Sequence, residues 1–168
     1  QLVSGTYKID QASADSGAIK KWTKYLQNVT AGIISIPQIS AHGSWEFLLY
    51  KSLDANVIDV MLIADISGGG TATGQDGYGV RFDSDETIAL FESIDGILTD
   101  LISSTAKSLL TWYKIKVTRS IAGVFNLFID NVNIGNATDT TTTSSNYLAI
   151  DADAGDIIAN ITKFMGVI

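Results

Sequence analysis

Near the C-terminal end of the 168-residue chain, Asp151-Ala152-Asp153-Ala154-Gly155-Asp156 places three carboxylates around a glycine. Oxygen ligands spaced along a tight loop are what a hard divalent cation such as calcium needs. The same residue types build ordinary turns, and the bidentate Glu that closes a helix-loop-helix calcium site is missing. Calcium loop and structural turn both stay open, and no other metal or cofactor is expected. With no cysteine and one histidine, His42, the chain excludes a thiolate or His/Cys metal site, a Cys nucleophile and a disulfide framework. His42 in Ser40-Ala41-His42-Gly43 reads as one member of an acid–base pair or as a loop histidine. Cleaving a glycoside needs two carboxylates about 5–9 Å apart. Glu46 stands alone on its segment, and Asp83, Asp85 and Glu86 cluster at a turn where carboxylates are commonly just solvated. Gly68-Gly69-Gly70, followed by Gly74, Gly77 and Gly79, lacks the Lys-Ser/Thr of a phosphate loop. It reads as a flexible loop, with Gly68 to Tyr78 a recognition candidate. Three Asn-x-Thr sequons, at Asn28, Asn136 and Asn160, carry little weight in a Thr-rich chain. No residue is assigned a catalytic role.

Short β-strands must position these groups. Period-two patterns bounded by glycines and polar turns recur along the chain. Lys21–Asn28 and Ala31–Pro37 read as a hairpin turning at Val29–Thr30. Ser44–Lys51 and Val57–Ile66 follow as strands. Tyr78–Asp83 pairs with Thr87–Ser93 across Ser84–Asp85. Tyr113–Arg119 pairs with Val124–Asp130 across Ile121–Gly123, and Asn146–Ile150 and Asp156–Phe164 close the chain. Ile94–Leu110 is expected to be mostly strand and loop with room for one short helix; Asn136–Asn146 is a polar loop or edge strand. The pattern predicts a single all-β domain over residues 1–168, a two-sheet antiparallel jelly-roll sandwich.

Several of these strands are apolar on both faces. Trp45, Phe47 and Leu49 alternate with Glu46, Leu48 and Tyr50, and Ile58, Val60 and Leu62 alternate with Asp59, Met61 and Ile63. A sheet buried on one side shows one polar face, so the second face is expected to be a groove or to be covered by another chain. With Trp45, Ile58, Tyr78 and their alternates inward, Glu46, Tyr50, Asp59, Arg81 and Asp83 would share the outer face among apolar neighbours. Aromatic rings stack on sugar C–H groups while carboxylates and guanidinium bond hydroxyls. These five are the candidate ligand-binding residues. The competing reading is an Arg81 ion pair with Glu46 or Asp59 on a covered face, and a one-residue slip would invert every assignment.

The segments Gly43-Ser44-Trp45-Glu46-Phe47, Gly77-Tyr78-Gly79-Val80-Arg81-Phe82, Trp112-Tyr113-Lys114-Ile115-Lys116-Val117-Thr118-Arg119 and Gly123-Val124-Phe125-Asn126-Leu127-Phe128-Ile129-Asp130 resemble, in order and pattern, the concanavalin A-like lectin/glucanase superfamily, including laminin-G-like domains. The resemblance spans roughly residues 20–168 and extends to domains of phage and viral structural polypeptides. It implies the jelly-roll fold and leaves function open among lectins, glycosidases, lyases, adhesion modules and virion proteins. The superfamily's glycosidases carry E-x-D-x-x-E or E-x-D-x-E on one strand, and this chain has neither.

Composition narrows the function classes. Hydrophobic residues make up 46% and charged residues 17%, which fits a folded chain. A net charge of −7 argues against nucleic acid, and no uncharged apolar run reaches the roughly 18 residues needed for membrane insertion. The start at Gln1 fits a mature product or a piece of a longer polypeptide. The expected function is a non-catalytic module binding a glycan or polysaccharide, extracellular or on a virion surface. The alternative is a structural or adhesion domain packing on neighbouring chains of a larger assembly, and a glycan-cleaving enzyme ranks third.

Overall fold

The computed structural model describes residues 40–65, 74–153 and 155–164, together with the backbone of four earlier strands. In chain order the strands are β1 (Ala12–Ser13), β2 (Ile19–Trp22), β3 (Leu26–Gln27), β4 (Gly32–Pro37), β5 (Gly43–Tyr50), β6 (Ile58–Ala64), β7 (Gly77–Phe82), β8 (Ile88–Ile94), β9 (Ile97–Ser103), β10 (Trp112–Arg119), β11 (Val124–Ile129), β12 (Val132–Thr138), β13 (Tyr147–Ala152) and β14 (Ile157–Phe164). No α-helix occurs among the described residues. The helical spacing in 94–110 resolves instead into β9, where Leu101 and Ile102 pack on the core while Ile97, Thr99, Asp100 and Ser103 are exposed, and a loop over 104–111.

The strands form two antiparallel sheets. One has eight strands in the order β1-β2-β14-β5-β10-β11-β12, with β3 also on β14; the other has six, β4-β13-β6-β7-β8-β9. Both hairpins expected around residues 84 and 121 form. The expected pairing of the strands flanking Val29–Thr30 does not. β2 and β3 join β14 in the larger sheet, whereas β4 joins β13 in the smaller one. Alternation carries no information about which partner a strand selects. The turn at 29–30 and the glycine run at 68–70 lie outside the described residues.

Between the sheets lies one continuous core. Trp45, Phe47, Leu49, Ile115, Val117 and Leu127 from the larger sheet meet Ile58, Val60, Tyr78, Val80, Phe82 and Leu90 from the smaller. Each of these side chains is at most 2% exposed, because each strand turns every second residue inward. At Met61–Ile63 the register of β6 against β7 shifts by one residue, so Leu62 and Ile63 both reach this core. Tight hairpins set other registers: Asp95 and Gly96 (φ 50° and 81°) join β8 to β9, and Asp130 and Asn131 (φ 52° and 66°) join β11 to β12.

Two buried cations stitch the layers at opposite ends. Lys51, fully buried just after β5, donates from Nζ to the carbonyl of Asp83 at the end of β7 and lies 5.2 Å from the Phe82 ring centre. At the other end Arg119 of β10 lies over the neighbouring rings of Tyr78 (4.7 Å) and Phe125 (4.9 Å). It donates to the carbonyls of Ala41 (2.9 Å) and Asp139 (3.1 Å). Tyr78 Oη donates to Asp139 Oδ1 at 2.6 Å, and burial together with that bond pushes its pKa up to about 12. These hydrogen bonds leave neither cation stranded in the apolar interior.

Gly79 sits where Phe91 and Met61 fold over the outer side of the smaller sheet. A Cβ there would lie 2.6 Å from Phe91 Cζ and 3.0 Å from Met61 Sδ. Gly79→Ala is expected to cost about 1–3 kcal/mol by overpacking, read as a lower urea midpoint at unchanged slope.

Candidate functional site

The register of the six-stranded sheet builds the site. Antiparallel pairing sets Asp151 of β13 opposite Asp59 of β6, Asp59 opposite Arg81 of β7, Arg81 opposite Ala89 of β8, and Ala89 opposite Ser103 of β9. The neighbouring row is Ala149, Met61, Gly79, Phe91 and Asp100. Both rows face away from the core, since the intervening residues Val60, Val80, Leu90 and Ile150 point into it.

The first row is centred on a bidentate ion pair. Arg81 Nε donates to Asp59 Oδ1 at 2.7 Å and a terminal guanidinium nitrogen donates to Oδ2 at 2.8 Å. The Arg81 side chain is 19% exposed and that of Asp59 is 6% exposed. The hydrogen bond to Asp59 holds the guanidinium pKa above its ordinary value, with Asp83 and Asp100 adding negative charge nearby. The same guanidinium lies 5.4 Å from the Phe91 ring centre. Beside the pair stands Asp151, whose carboxyl is pushed up to about 6 by burial first and then by the charges of Asp59 and Asp153. On the exposed edge strand, Ser103 Oγ donates to Asp100 Oδ2 at 2.9 Å. The second row is largely apolar: Met61, Phe91 and Ala149 are buried, with Leu98 and Tyr147 packed against them.

The five sequence-derived candidates therefore do not share one face. Asp59 and Arg81 come together as the ion pair. Asp83 lies just beyond β7 with Oδ1 accepting from Ser84 N at 2.6 Å, so it caps the turn while its charge still reaches Arg81. Glu46 and Tyr50 belong to β5 in the other sheet and face the opposite side of the sandwich. There Glu46 is shared by Lys116 (3.3 Å) and Lys114 (3.5 Å), and Tyr50 lies 5.2 Å from Trp112 between ring centres. The expected single groove is corrected by sheet membership: β5 and β6 are consecutive in sequence and lie in different layers. Met61, Phe91 and Ala149 are already buried within the chain itself.

Sequence reasoning missed Asp151, Asp100 and Trp112 as members of these faces. Alternation through Tyr147–Ala152 would have set Asp151 outward between Ile150 and Ala152. In that acidic run the carboxylates of Asp153 and Asp156 accept from the chain's own donors. Asp156 Oδ1 accepts from Ser52 N (2.7 Å) and Ser52 Oγ (2.9 Å), Asp156 Oδ2 accepts from Asn56 Nδ2 (3.1 Å), and Asp153 Oδ2 accepts from Val57 N (3.1 Å). Asp151 points to the sheet face instead. Among the described residues no group of three or more His, Cys, Asp or Glu converges to hold a metal. His42 is exposed in the bend before β5, where the backbone is tied to Ser40 Oγ. It is a loop histidine.

Asp59 and Asp151 do stand side by side, a carboxylate pair that no spacing along one strand could reveal. Both Asp59 oxygens accept hydrogen bonds from Arg81.

The elevated Asp151 pKa carries a stability consequence. The folded chain keeps this proton up to about pH 6, whereas an unfolded Asp releases it near 3.8. Stability from this residue is present below pH 4 and is lost as pH rises through 6. Asp151→Asn is expected to raise the melting temperature at pH 7.5 and to leave it unchanged near pH 3.5, by differential scanning fluorimetry.

No protein-family model matches the chain, and no curated protein matches its sequence. Solved structures do match its fold. The carbohydrate-binding module CBM66 from Bacillus subtilis aligns at TM-score 0.69 and 15% identity over 97% of this chain and 94% of that one. Galectin LEC-6 from Caenorhabditis elegans aligns at TM-score 0.55 and 11% identity, over 87% and 95%. A native glycosidic hydrolase aligns at TM-score 0.60 and 9% identity, over 92% and 82%. The chain has an antiparallel two-sheet jelly-roll sandwich fold.

Proposed function

We propose that the chain is a non-catalytic carbohydrate-binding domain that takes sugar on the outer face of its six-stranded sheet, around Arg81. The observation that carries this reading is the row Asp151–Asp59–Arg81 across three adjacent strands. It is a guanidinium flanked by carboxylates, set in an apolar sheet face and opening towards Asp100 and Ser103 at an exposed edge. Sugar hydroxyls both donate and accept, so a site holding donors and acceptors side by side can bond both hydroxyls of a vicinal pair. The fold shared with a carbohydrate-binding module and a galectin supports the same reading. A non-catalytic role is supported by the engagement of both Asp59 oxygens. We further infer that the domain is displayed at a cell or virion surface as part of a larger polypeptide, on the strength of its lectin-like fold.

A second reading, a structural or adhesion domain packing on neighbouring chains, is favoured by the exposed side chains of Ile97 (69%) and Val132 (62%). Sedimentation showing monomer alone at high concentration would count against it.

The test of sugar binding is a broad array of neutral and acidic glycans followed by calorimetry on the hits. The double variant Asp59→Asn/Arg81→Gln keeps a hydrogen-bonded pair of similar shape and removes both charges. It is expected to melt within a few degrees of the parent and to bind at least about 10-fold more weakly, since charged hydrogen bonds contribute about 1.5–3 kcal/mol. Silence of the parent across the array, or unchanged binding in a folded variant, overturns the proposal.

A further inference from the structure

The outer face of the eight-stranded sheet carries a second arrangement of groups that the first site does not use. Pairing of β5 with β10 sets Tyr50 opposite Trp112, Leu48 opposite Lys114 and Glu46 opposite Lys116. Tyr50 and Trp112 form a tilted ring pair (5.2 Å, 42°), and Trp112 is 44% exposed. Leu110, two residues earlier, is 65% exposed and holds a left-handed backbone (φ 56°), a conformation that bulky residues rarely adopt. Its N–H is bonded to the Lys51 carbonyl at 3.0 Å, which pins the loop leading into Trp112 against the end of β5. The platform is therefore held out to solvent by built contacts.

Beside it, in a chain whose net charge is −7, two exposed lysines stand with two carboxylates, Glu46 and Asp130, the latter accepting from Lys114 N at 2.9 Å. Glu46 is shared by two ammonium groups at 3.3 and 3.5 Å, so one carboxylate faces two cations whose side chains are 40% and 43% exposed. The backbone register extends the row further: Lys116 lies opposite Glu46, Glu46 opposite Thr162, and Thr162 opposite Lys21. Lys114 Nζ also donates to Asn131 Oδ1 at 3.3 Å, which aims it along the face. Each outward step along β10 is about 7 Å, so a chain laid along this strand meets the indole first, then one ammonium, then the next.

We propose that this face is a second binding site, for an acidic polysaccharide. A pyranose ring stacks on the Trp112–Tyr50 platform, and carboxylate groups of the sugar chain pair with Lys114 and Lys116. The ring pair supplies the flat apolar surface that sugar C–H groups need. The exposed ammonium groups of Lys114 and Lys116 offer carboxylate-bearing sugars ionic partners that a neutral sugar does not use. The site stands on the opposite layer from Arg81 and does not depend on sugar binding there.

The experiment is calorimetry of the whole chain with oligogalacturonates, with uncharged galacto-oligosaccharides as control, at low and at roughly 0.3 M salt. Binding of the oligogalacturonate alone, weakened at the higher salt by screening, is expected. Trp112→Ala should abolish it and Lys114→Gln/Lys116→Gln should weaken it at least about 10-fold, while Asp59→Asn/Arg81→Gln leaves it unchanged. All three positions are at least partly exposed, so folding is expected to survive, and thermal melts check it. Absence of binding in the parent overturns the proposal, as does unchanged binding in folded Trp112→Ala or in the lysine variant. Sedimentation in the absence of sugar that shows a dimer broken by Trp112→Ala overturns it too, by identifying a second copy of the chain as the occupant. Loss of array binding in the Arg81 variant with oligogalacturonate binding intact separates the two sites.

Discussion

The chain changes sheets between Tyr50 and Ile58, and the fully buried ammonium of Lys51 marks the crossing. Lys51 closes β5, reaches the Asp83 carbonyl at the end of β7, and sits over Phe82. An ammonium stranded in an apolar interior would cost several kcal/mol. The Asp83 carbonyl and the Phe82 ring face offset that cost and fix the end of one sheet against the end of the other. The placement of both outer faces follows from this crossing. It decides that Glu46 and Tyr50 look outward on one side of the sandwich while Asp59 and Arg81 look outward on the other.

The inward set was legible because it is a local property. Trp45, Phe47 and Leu49, then Ile58, Val60 and Leu62, then Tyr78, Val80 and Phe82 all point to the core, as period two dictates. The hairpins at Ser84–Asp85 and Ile121–Gly123 were legible for the same reason: turn chemistry and pattern lie within a few residues of each other. Sheet membership is not local. Alternation assigns each side chain a face of its own strand and is silent on which neighbour that strand takes. That is why Lys21–Asn28 and Ala31–Pro37 read as a hairpin and are not one, and why five outward residues on three strands read as a single face. Asp151 was visible as a carboxylate and misread as part of a loop, because Asp153, Gly155 and Asp156 beside it do form a turn.

Charge distribution shows what net charge conceals. The overall −7 describes the whole chain, yet three of its eleven lysine and arginine residues lie on or in register with one outer face, and a fourth, Arg81, is nested among carboxylates on the other. The burial of Met61 and Phe91 over Gly79 adds a mechanical point. The apolar strip beside Arg81 is closed by the chain's own side chains, so the guanidinium sits on a firm floor and keeps its hydrogen-bonding directions.

On one flank the two layers meet rather than gape. Gly135 of β12 leaves just enough space for Ile102 of β9, and Ile134, Ala137 and Leu101 pack against the shared interior. Outermost strands normally present bare amide ladders that invite a foreign strand to dock and propagate into fibrils. Here the two outermost strands of that flank shelter each other. A chain rich in β-branched residues and holding a single proline thereby gains protection against self-templating at high local density, a condition that crowded display on a surface would impose.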